Sequence, residues 1–294
     1  MHAAIALLLF AADPPLDRIL ERLSEEAEIF MRKAPRVVAK ERLLHRGRKS
    51  PPRFVPRVGA KSIEAALGYV EREVVSEYGW AAMKEQPANL IEFRQVVSVD
   101  GKQVRKEEKA RLALAMNMTS EDDRQRKRML QDLEKHGMVG AATDFSQDIL
   151  LFRRASLSNY GFRVMGPGKI GSTPTIVVEF LQKGGDETAR VFAGRDMQRI
   201  KLGGEIQVRE RDLLPMRISL RIPTKEDGLT VLHTGEIDYY QSRYGMLLPS
   251  AVRYKKLEGE TILVENFAFY KEYKMFQVET DIKFTPDEAP PEQP

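Results

Sequence analysis

Cysteine is absent from this 294-residue sequence. That absence removes disulfides, thiolate nucleophiles, zinc–thiolate sites and iron–sulfur ligation together. It also removes the cysteine that accepts lipid in a bacterial lipoprotein, so no lipid anchor is expected and the core alone must hold the fold. Histidine is scarce: His2, His45, His136 and His233 are the four present, none at metal-ligand spacing from another and none in an H-E-x-x-H string. No G-x-S-x-G elbow is there to raise a serine nucleophile. Long apolar runs are lacking too. The longest stretch, Ala3 to Ala12, has ten residues, too short to cross a hydrocarbon layer of about 30 Å.

What is there begins with that short run. Ten apolar residues ending in Ala11-Ala12 before Asp13-Pro14-Pro15 match the apolar region and cleavage point of a secretory signal, although His2 stands where Lys or Arg is usual. Residues 1–12 are therefore expected to be a signal peptide, followed by one domain over 13–285 and a Pro/Glu-rich disordered tail over 286–294. Apolar residues make up 42% and charged residues 31%, a globular balance. Charge is uneven. From Arg32 to Lys61 eleven bases face one acid, Glu41, so this segment carries +10 and leaves −6 for the rest of a chain whose net charge is +4. Such a segment docks on an anionic membrane or partner, with Arg46, Arg48, Lys49, Arg53 and Arg57 as candidates, or rests against the chain's own acidic body. Apart from Phe54 it has no interleaved aromatics, so base stacking has no support and nucleic acid is not expected as a partner.

Asp13-Pro14 starts a helix, and Leu16, Ile19, Leu20, Leu23, Ala27, Phe30 and Met31 give it one apolar stripe up to Pro35. Strands are expected over 37–46, 69–78 and 90–99, with Asp100-Gly101 as a tight turn. The middle turns helical: 106–116, then a helix capped by Ser120 with Met129, Leu130 and Leu133 as its stripe and Gly137 as its stop, then a third short helix within 144–152. From Ser156 onward strands dominate. Met216, Ile218, Leu220 and Ile222 alternate with polar residues, and Val278, Thr280, Ile282 and Phe284 do the same as a closing strand. Strands at short intervals without helices between them predict an antiparallel meander.

Other signals fail on context. Gly166-Pro167-Gly168-Lys169-Ile170-Gly171 matches G-x-G-x-x-G, but Pro174 and the β-branched run Thr175 to Val178 follow where a phosphate site needs a helix, so a mobile hairpin loop is the expectation. Asp144 and Asp148 have the spacing of an exposed helix face and do not by themselves form an acid/base pair. Asn117-Met118-Thr119 is a glycosylation triplet of a kind that recurs by chance. Trp80, the sole tryptophan, is read as core. With no nucleophile, base and oxyanion site assembled, no enzyme and no cofactor are expected.

Gly204-Glu205-Ile206-Gln207-Val208, then Leu214-Pro215-Met216-Arg217-Ile218, then Gly235 to Tyr240, then Gly245-Met246-Leu247-Leu248-Pro249 form an ordered set. Over about residues 190–284 this resembles the outer-membrane lipoprotein carrier superfamily, the LolA/LolB-like fold that includes the sensor domain of RseB. The resemblance implies an α+β fold: a curved antiparallel sheet, a half-barrel, covered by an N-terminal helix, here with a mid-chain helical insertion over about 106–152. It also implies a periplasmic or secreted protein that binds lipid, a lipoprotein or another amphipathic ligand without covalent chemistry. Met216, Ile218, Leu220, Val252 and Tyr254 are the candidate lining residues, with ordinary core packing as the alternative for each.

Overall fold

The computed structural model describes residues 16–49, 68–83, 86–119, 123–138, 145–186, 188–191, 197–226, 228–278 and 282–284. Residues 1–12, expected as a signal peptide, Asp13-Pro14, Ser120, Asp144, Arg53, Arg57 and residues 286–294 lie outside them.

Helix α1 (Leu16–Lys33) buries Ile19, Leu23, Ala27 and Phe30, the expected stripe, and gives way at Pro35 to a single 3-10 turn. Strand β1 (Val37–Arg48) follows, then β2 (Tyr69–Met83) and β3 (Gln86–Val99). Asp100 and Gly101, at φ 49° and 76°, turn the chain into the two-residue β4 (Lys102–Gln103). Two helices come next, α2 (Glu107–Thr119) and α3 (Asp123–Lys135), and Gly137 at φ 81° stops the second. The remaining strands are β5 (Tyr160–Ile170), β6 (Thr173–Gln182), β7 (Thr188–Val191), β8 (Met197–Ile200), β9 (Gly203–Arg209), β10 (Pro215–Glu226), β11 (Leu229–Gln241), β12 (Leu247–Glu258), β13 (Thr261–Val278) and β14 (Ile282–Phe284).

Eleven strands form one open antiparallel sheet in the order β4-β3-β2-β1-β13-β12-β11-β10-β9-β6-β5, with β14 hydrogen-bonded to β13 off that path and β7–β8 a separate hairpin. The meander predicted from strand spacing runs from β9 to β13, and β1 closes onto β13 with Leu43 opposite Ala268. The fold is α+β, as the residues imply.

Strand parity explains where the helices sit. On β1 the odd positions Val37, Ala39 and Leu43 join the main core with α1, while Val38 belongs to a second cluster with Ala81, Phe93, Leu114, Met118 and Met129. Successive strand residues point to opposite faces. Helix α1 therefore packs on the inner face and α2 on the outer face of β1–β3, while α3 runs from the outer cluster at Met129 to the main core at Leu133. The insertion reaches both sides of the sheet, with Leu114, Met118 and Met129 in the outer cluster and Leu133, Met138 and Phe145 in the main core.

Three local expectations are corrected. The third short helix expected within 144–152 is present over Asp148–Phe152 but as a 3-10 turn and not an α-helix, with the Ile149 N–H donating to the Tyr239 hydroxyl at 3.2 Å. The segment Gly166 to Ile170 is no loop but the second half of β5, with a bulge at Gly166 (φ 124°) and the reversal at Gly171-Ser172. The closing strand is two: β14 folds back so that Phe284 pairs with Phe276 and Ile282 with Val278. A period of two holds equally along one strand and along two strands of a hairpin, which is why alternation alone does not separate them.

The contact of α2 with the sheet is close enough to depend on Gly79. A methyl group there would lie 2.7 Å from Met118 Sδ and 3.2 Å from the Val37 carbonyl oxygen. Gly79→Ala is expected to cost about 1–3 kcal/mol by overpacking, and Met118→Ala about 2–5 kcal/mol by leaving a cavity. The double variant should lose less than the sum in urea unfolding, because each change relieves the other; additive losses would mean the two residues do not share this contact.

Candidate functional site

The inner face of β10–β12 is assembled from two adjoining rows of cross-strand neighbours. Ile218 stands opposite Ile237 and Ile237 opposite Val252; one pair further along, Leu220 stands opposite Gly235 and Gly235 opposite Tyr254. Four of the five candidate lining residues, Ile218, Leu220, Val252 and Tyr254, are thereby brought together in the buried core. Met216 is not among them: it sits half-buried where the pairing of β10 with β9 skips from Pro215 to Arg217.

Gly235 leaves the middle of the second row without a side chain, and Phe145 fills that gap. A methyl group on Gly235 would lie 2.7 Å from the Phe145 ring, whose centroid is 5.3 Å from that of Tyr254. Phe145 opens a strap, residues 145–159, whose only regular structure is two 3-10 turns and which adds Ile149 and Phe152 to the core.

The strap is clamped at Ser146. Its N–H donates to Glu92 Oε1 at 2.8 Å, its carbonyl accepts from the Tyr239 hydroxyl at 3.0 Å, and its hydroxyl accepts from Trp80 Nε1 at 3.0 Å and shares a hydrogen bond with Tyr78. Glu92 in turn accepts from Arg94 at 2.6 Å, and Arg94 makes a two-pronged pair with Glu41 at 2.7 and 2.9 Å, all three buried. Burial would lower the Arg94 pKa, but attraction to Glu41 and Glu92 outweighs it and holds the guanidinium well above its ordinary value. Burial would raise Glu92; the charge of Arg94 and the hydrogen bonds from Ser146 and Arg94 pull it below the usual carboxylate range. Trp80 is core, as expected, wedged edge-on between Phe30 and Tyr78.

At the other side of the seat, His233 Nδ1 is 2.8 Å from the Tyr254 hydroxyl, and its Nε2 is 3.0 Å from Thr224 Oγ1 and 3.2 Å from Glu226 Oε1. Lys256 holds the second Glu226 oxygen at 2.6 Å. Burial lowers the His233 pKa to about 4, with Lys256 adding to the drop and Glu226 opposing it. Burial also raises the Tyr254 phenol above its ordinary range. At neutral pH this is a neutral His–Tyr pair that fixes the Tyr254 ring, with no poised nucleophile in it. Among the described residues no group of His, Asp and Glu has the arrangement of a metal site.

The candidate docking bases fall elsewhere. Arg46 lies on the outer face, 3.9 Å over the Tyr69 ring and within 3.7 Å of Glu71 and 4.0 Å of Glu265. It borders an open groove of about 670 Å³ that also touches Arg72, Arg253 and Phe267. Lys40 and Arg42 likewise meet Glu272 and Glu73, so much of the described basic segment rests on the chain's own acids. Arg48 and Lys49 are exposed.

No protein-family model matches the chain, and no curated protein matches it. Solved structures do. A domain from Vibrio parahaemolyticus assigned to outer membrane lipoprotein sorting aligns with a TM-score of 0.37 and 7% identity, covering 89% of this chain and 93% of that one. A DUF1329 family protein of Desulfovibrio piger gives 0.36 and 9% over 89% and 93%, and a LolA-superfamily protein of Nitrosomonas europaea 0.34 and 10% over 90% and 94%. The likeness is one of fold.

Phe145, Gly235 and the Ser146 clamp carry no signal in the sequence. Phe145 and Gly235 are ninety positions apart, and although Gly235 opens one segment of the ordered set, nothing in that set points to Phe145. The one available hint is a glycine interrupting the apolar parity of β11 between His233 and Ile237.

The His233 pKa makes a pH prediction. Between about pH 6.5 and pH 4 the unfolded chain binds a proton at this histidine and the folded chain does not, so stability present above that window is lost as pH falls through it. The loss attributable to His233 is roughly 3 kcal/mol. His45, also lowered by burial, adds to the wild-type slope in the same direction. Urea unfolding across this window should show a clearly shallower acid loss for His233→Gln. An unchanged slope would assign the titration to another group.

Proposed function

We propose that this chain is an exported, non-catalytic binding protein, and that its ligand is a lipid or lipid-bearing polypeptide whose apolar chain takes the place of Phe145. The observation that carries this reading is the gap at Gly235. Six residues from three strands make an apolar seat, and the chain fills it with a ring from a segment that has no strand or α-helix of its own. A strap of 3-10 turns is held by few backbone hydrogen bonds, so it can leave at lower cost than a strand or an α-helix. The sequence resemblance to lipoprotein carriers and the signal-like residues 1–12 support the same reading and a periplasmic or secreted location. Among the described residues no helix is long and apolar enough to cross a membrane.

Native mass spectrometry of the gently purified protein should show a mass excess that lipid extraction removes. Phe145→Ala should take up an apolar fluorescent probe several-fold better than wild type, since truncating a buried Phe leaves an apolar cavity that stays dry and accepts apolar guests. Adding Gly235→Val to that variant should fill the seat and abolish the gain. If no preparation carries lipid, and the probe binds all three proteins no better than a compact control, the reading is wrong.

A further inference from the structure

The open sheet has two ends, and they are built differently. At one end β3 is followed by the two-residue β4, and the Val104 and Arg105 N–H groups both donate to the Val97 carbonyl. Glu92 and Arg94 point inward from the same strand, buried beside the core. Very short terminal strands and inward-pointing charges both keep an edge from pairing with a stray strand. The other end is β5, eleven residues long and, among the described residues, bonded on one side to β6 with no strand on its other side.

Backbone bonds fix which β5 residues face outward. The Lys183 N–H donates to the Asn159 carbonyl at 2.7 Å, so Asn159 faces β6. Hydrogen-bonded and non-hydrogen-bonded positions alternate along an antiparallel pair. Gly161 and Arg163 therefore face β6, and the N–H and C=O of Phe162 and Val164 turn to the open edge. Beyond the bulge at Gly166 the phase changes. Pro174 gives its carbonyl to the Glu210 N–H at 3.2 Å, on the β9 side, so its β5 partner Lys169 faces outward, and Pro167 with it. Lysine and proline are edge guards; phenylalanine and valine are not. The second half of β5 is guarded and the first half is not.

The side chains of that first half fit a copy of themselves. Tyr160, Phe162 and Val164 lie half-buried on the inner face, with Phe162 opposite Phe180 and its ring 6.1 Å from that of Phe152. The aromatic cluster thus ends at the edge on a half-covered ring. An antiparallel copy of β5 centred on Phe162 sets Phe162 against Phe162 and Tyr160 against Val164, and so carries the apolar row across the junction. On the outer face Arg163, held by Glu179 at 2.8 Å, then meets Gly161 of the second copy, over which the exposed Lys183 of that copy lies. Glu179 and Glu205, opposite each other across β6 and β9, stand against these two bases. Centring on Arg163 would instead oppose like charges directly, and centring on Val164 would bring Pro167 against Gly161. We infer that two copies of this chain pair edge to edge through the first half of β5 with Phe162 on the two-fold axis, an isologous contact that closes on itself. The pairing does not depend on what the Phe145 seat binds.

Sedimentation of the full chain from micromolar to millimolar concentration tests this. So short a contact belongs to the small, weak class of interfaces, so the dimer should appear toward the upper end of that range. Val164→Pro removes an N–H that the β6 ladder does not use, and should weaken the dimer about tenfold while the monomer stays folded. Because the chain has no cysteine, a single introduced thiol reports the register. Phe162→Cys should cross-link to a dimer on mild oxidation, since directly opposed hydrogen-bonded residues have Cα atoms about 5.5 Å apart. Val164→Cys, about 13 Å along the strands from its own copy in this register, should not. The emission of buried Trp80 checks that each variant keeps its fold. Monomer at every concentration overturns the inference, as does a dimer that Val164→Pro leaves unchanged or a cross-link at Val164 and not at Phe162. A chain that stays monomeric yet takes an extended peptide on this edge would overturn it too, and assign the edge to a partner polypeptide.

Discussion

A buried guanidinium holds the strands, the strap and the seat in one arrangement. Arg94 on β3 reaches across β2 to Glu41 on β1, beside the Tyr78 ring at 5.0 Å, and the Nη2 that meets Glu41 also donates to Glu92. Ser76 stands opposite Glu41 on the intervening strand, and its small side chain leaves the path open. Taking three charges out of water costs several kcal/mol each, so the trio is a poor source of net stability compared with well-packed apolar residues. Its value is in alignment. A one-residue slip of β1, β2 or β3 would turn a charged partner to the other face, and an uncompensated buried charge costs about 3–5 kcal/mol. The trio therefore penalises wrong registers far more than it rewards the right one.

The same carboxylate sets the position of the strap. Glu92 spends one oxygen on Arg94 and the other on the Ser146 N–H. Phe145, one residue away, is thereby delivered over Gly235, while Tyr239 on β11 receives the Ser146 carbonyl and the Ile149 N–H. A charged acceptor makes a stronger hydrogen bond than a neutral one. A segment whose regular structure is two 3-10 turns is thus tied to the sheet at Ser146 and Ile149.

The legible part of this arrangement is the part whose interactions are local. The stripe of α1, the alternation of β10, the Asp100-Gly101 turn and the Gly137 stop are written within a few residues of where they act. The candidates Ile218, Leu220, Val252 and Tyr254 could be chosen from strand parity, and they meet because β10, β11 and β12 are consecutive. Met216 breaks from them at a bulge, which a parity rule does not contain. Glu41 looks in the sequence like the one acid in a basic segment, yet its partner Arg94 is fifty-three positions away and separated from it by β2. The division of the helices between two faces is equally hidden, since Val38 and Val37 are both apolar and only the packed sheet tells them apart.

On the proposed reading, in which a ligand displaces Phe145, the seat also limits what kind of ligand can enter it. If Phe145 and the Ser146 N–H bond to Glu92 alone give way, with Ile149 and Phe152 staying in the core, a guest must replace the burial of one phenyl side chain, about 1.5–3 kcal/mol, and one charge-assisted hydrogen bond, about 1.5–3 kcal/mol. At about 0.8 kcal/mol per buried methylene, a guest needs roughly four to eight methylenes only to match the chain's own occupant. Short or branched apolar molecules therefore leave the closed state dominant, and the affinity of any ligand is reduced by the fraction of molecules that are open. A long straight chain passes that threshold with methylenes to spare. On the proposed reading, the strap's own side chains set the minimum chain length, and selectivity arises from competition within the molecule without any polar group that recognises the ligand.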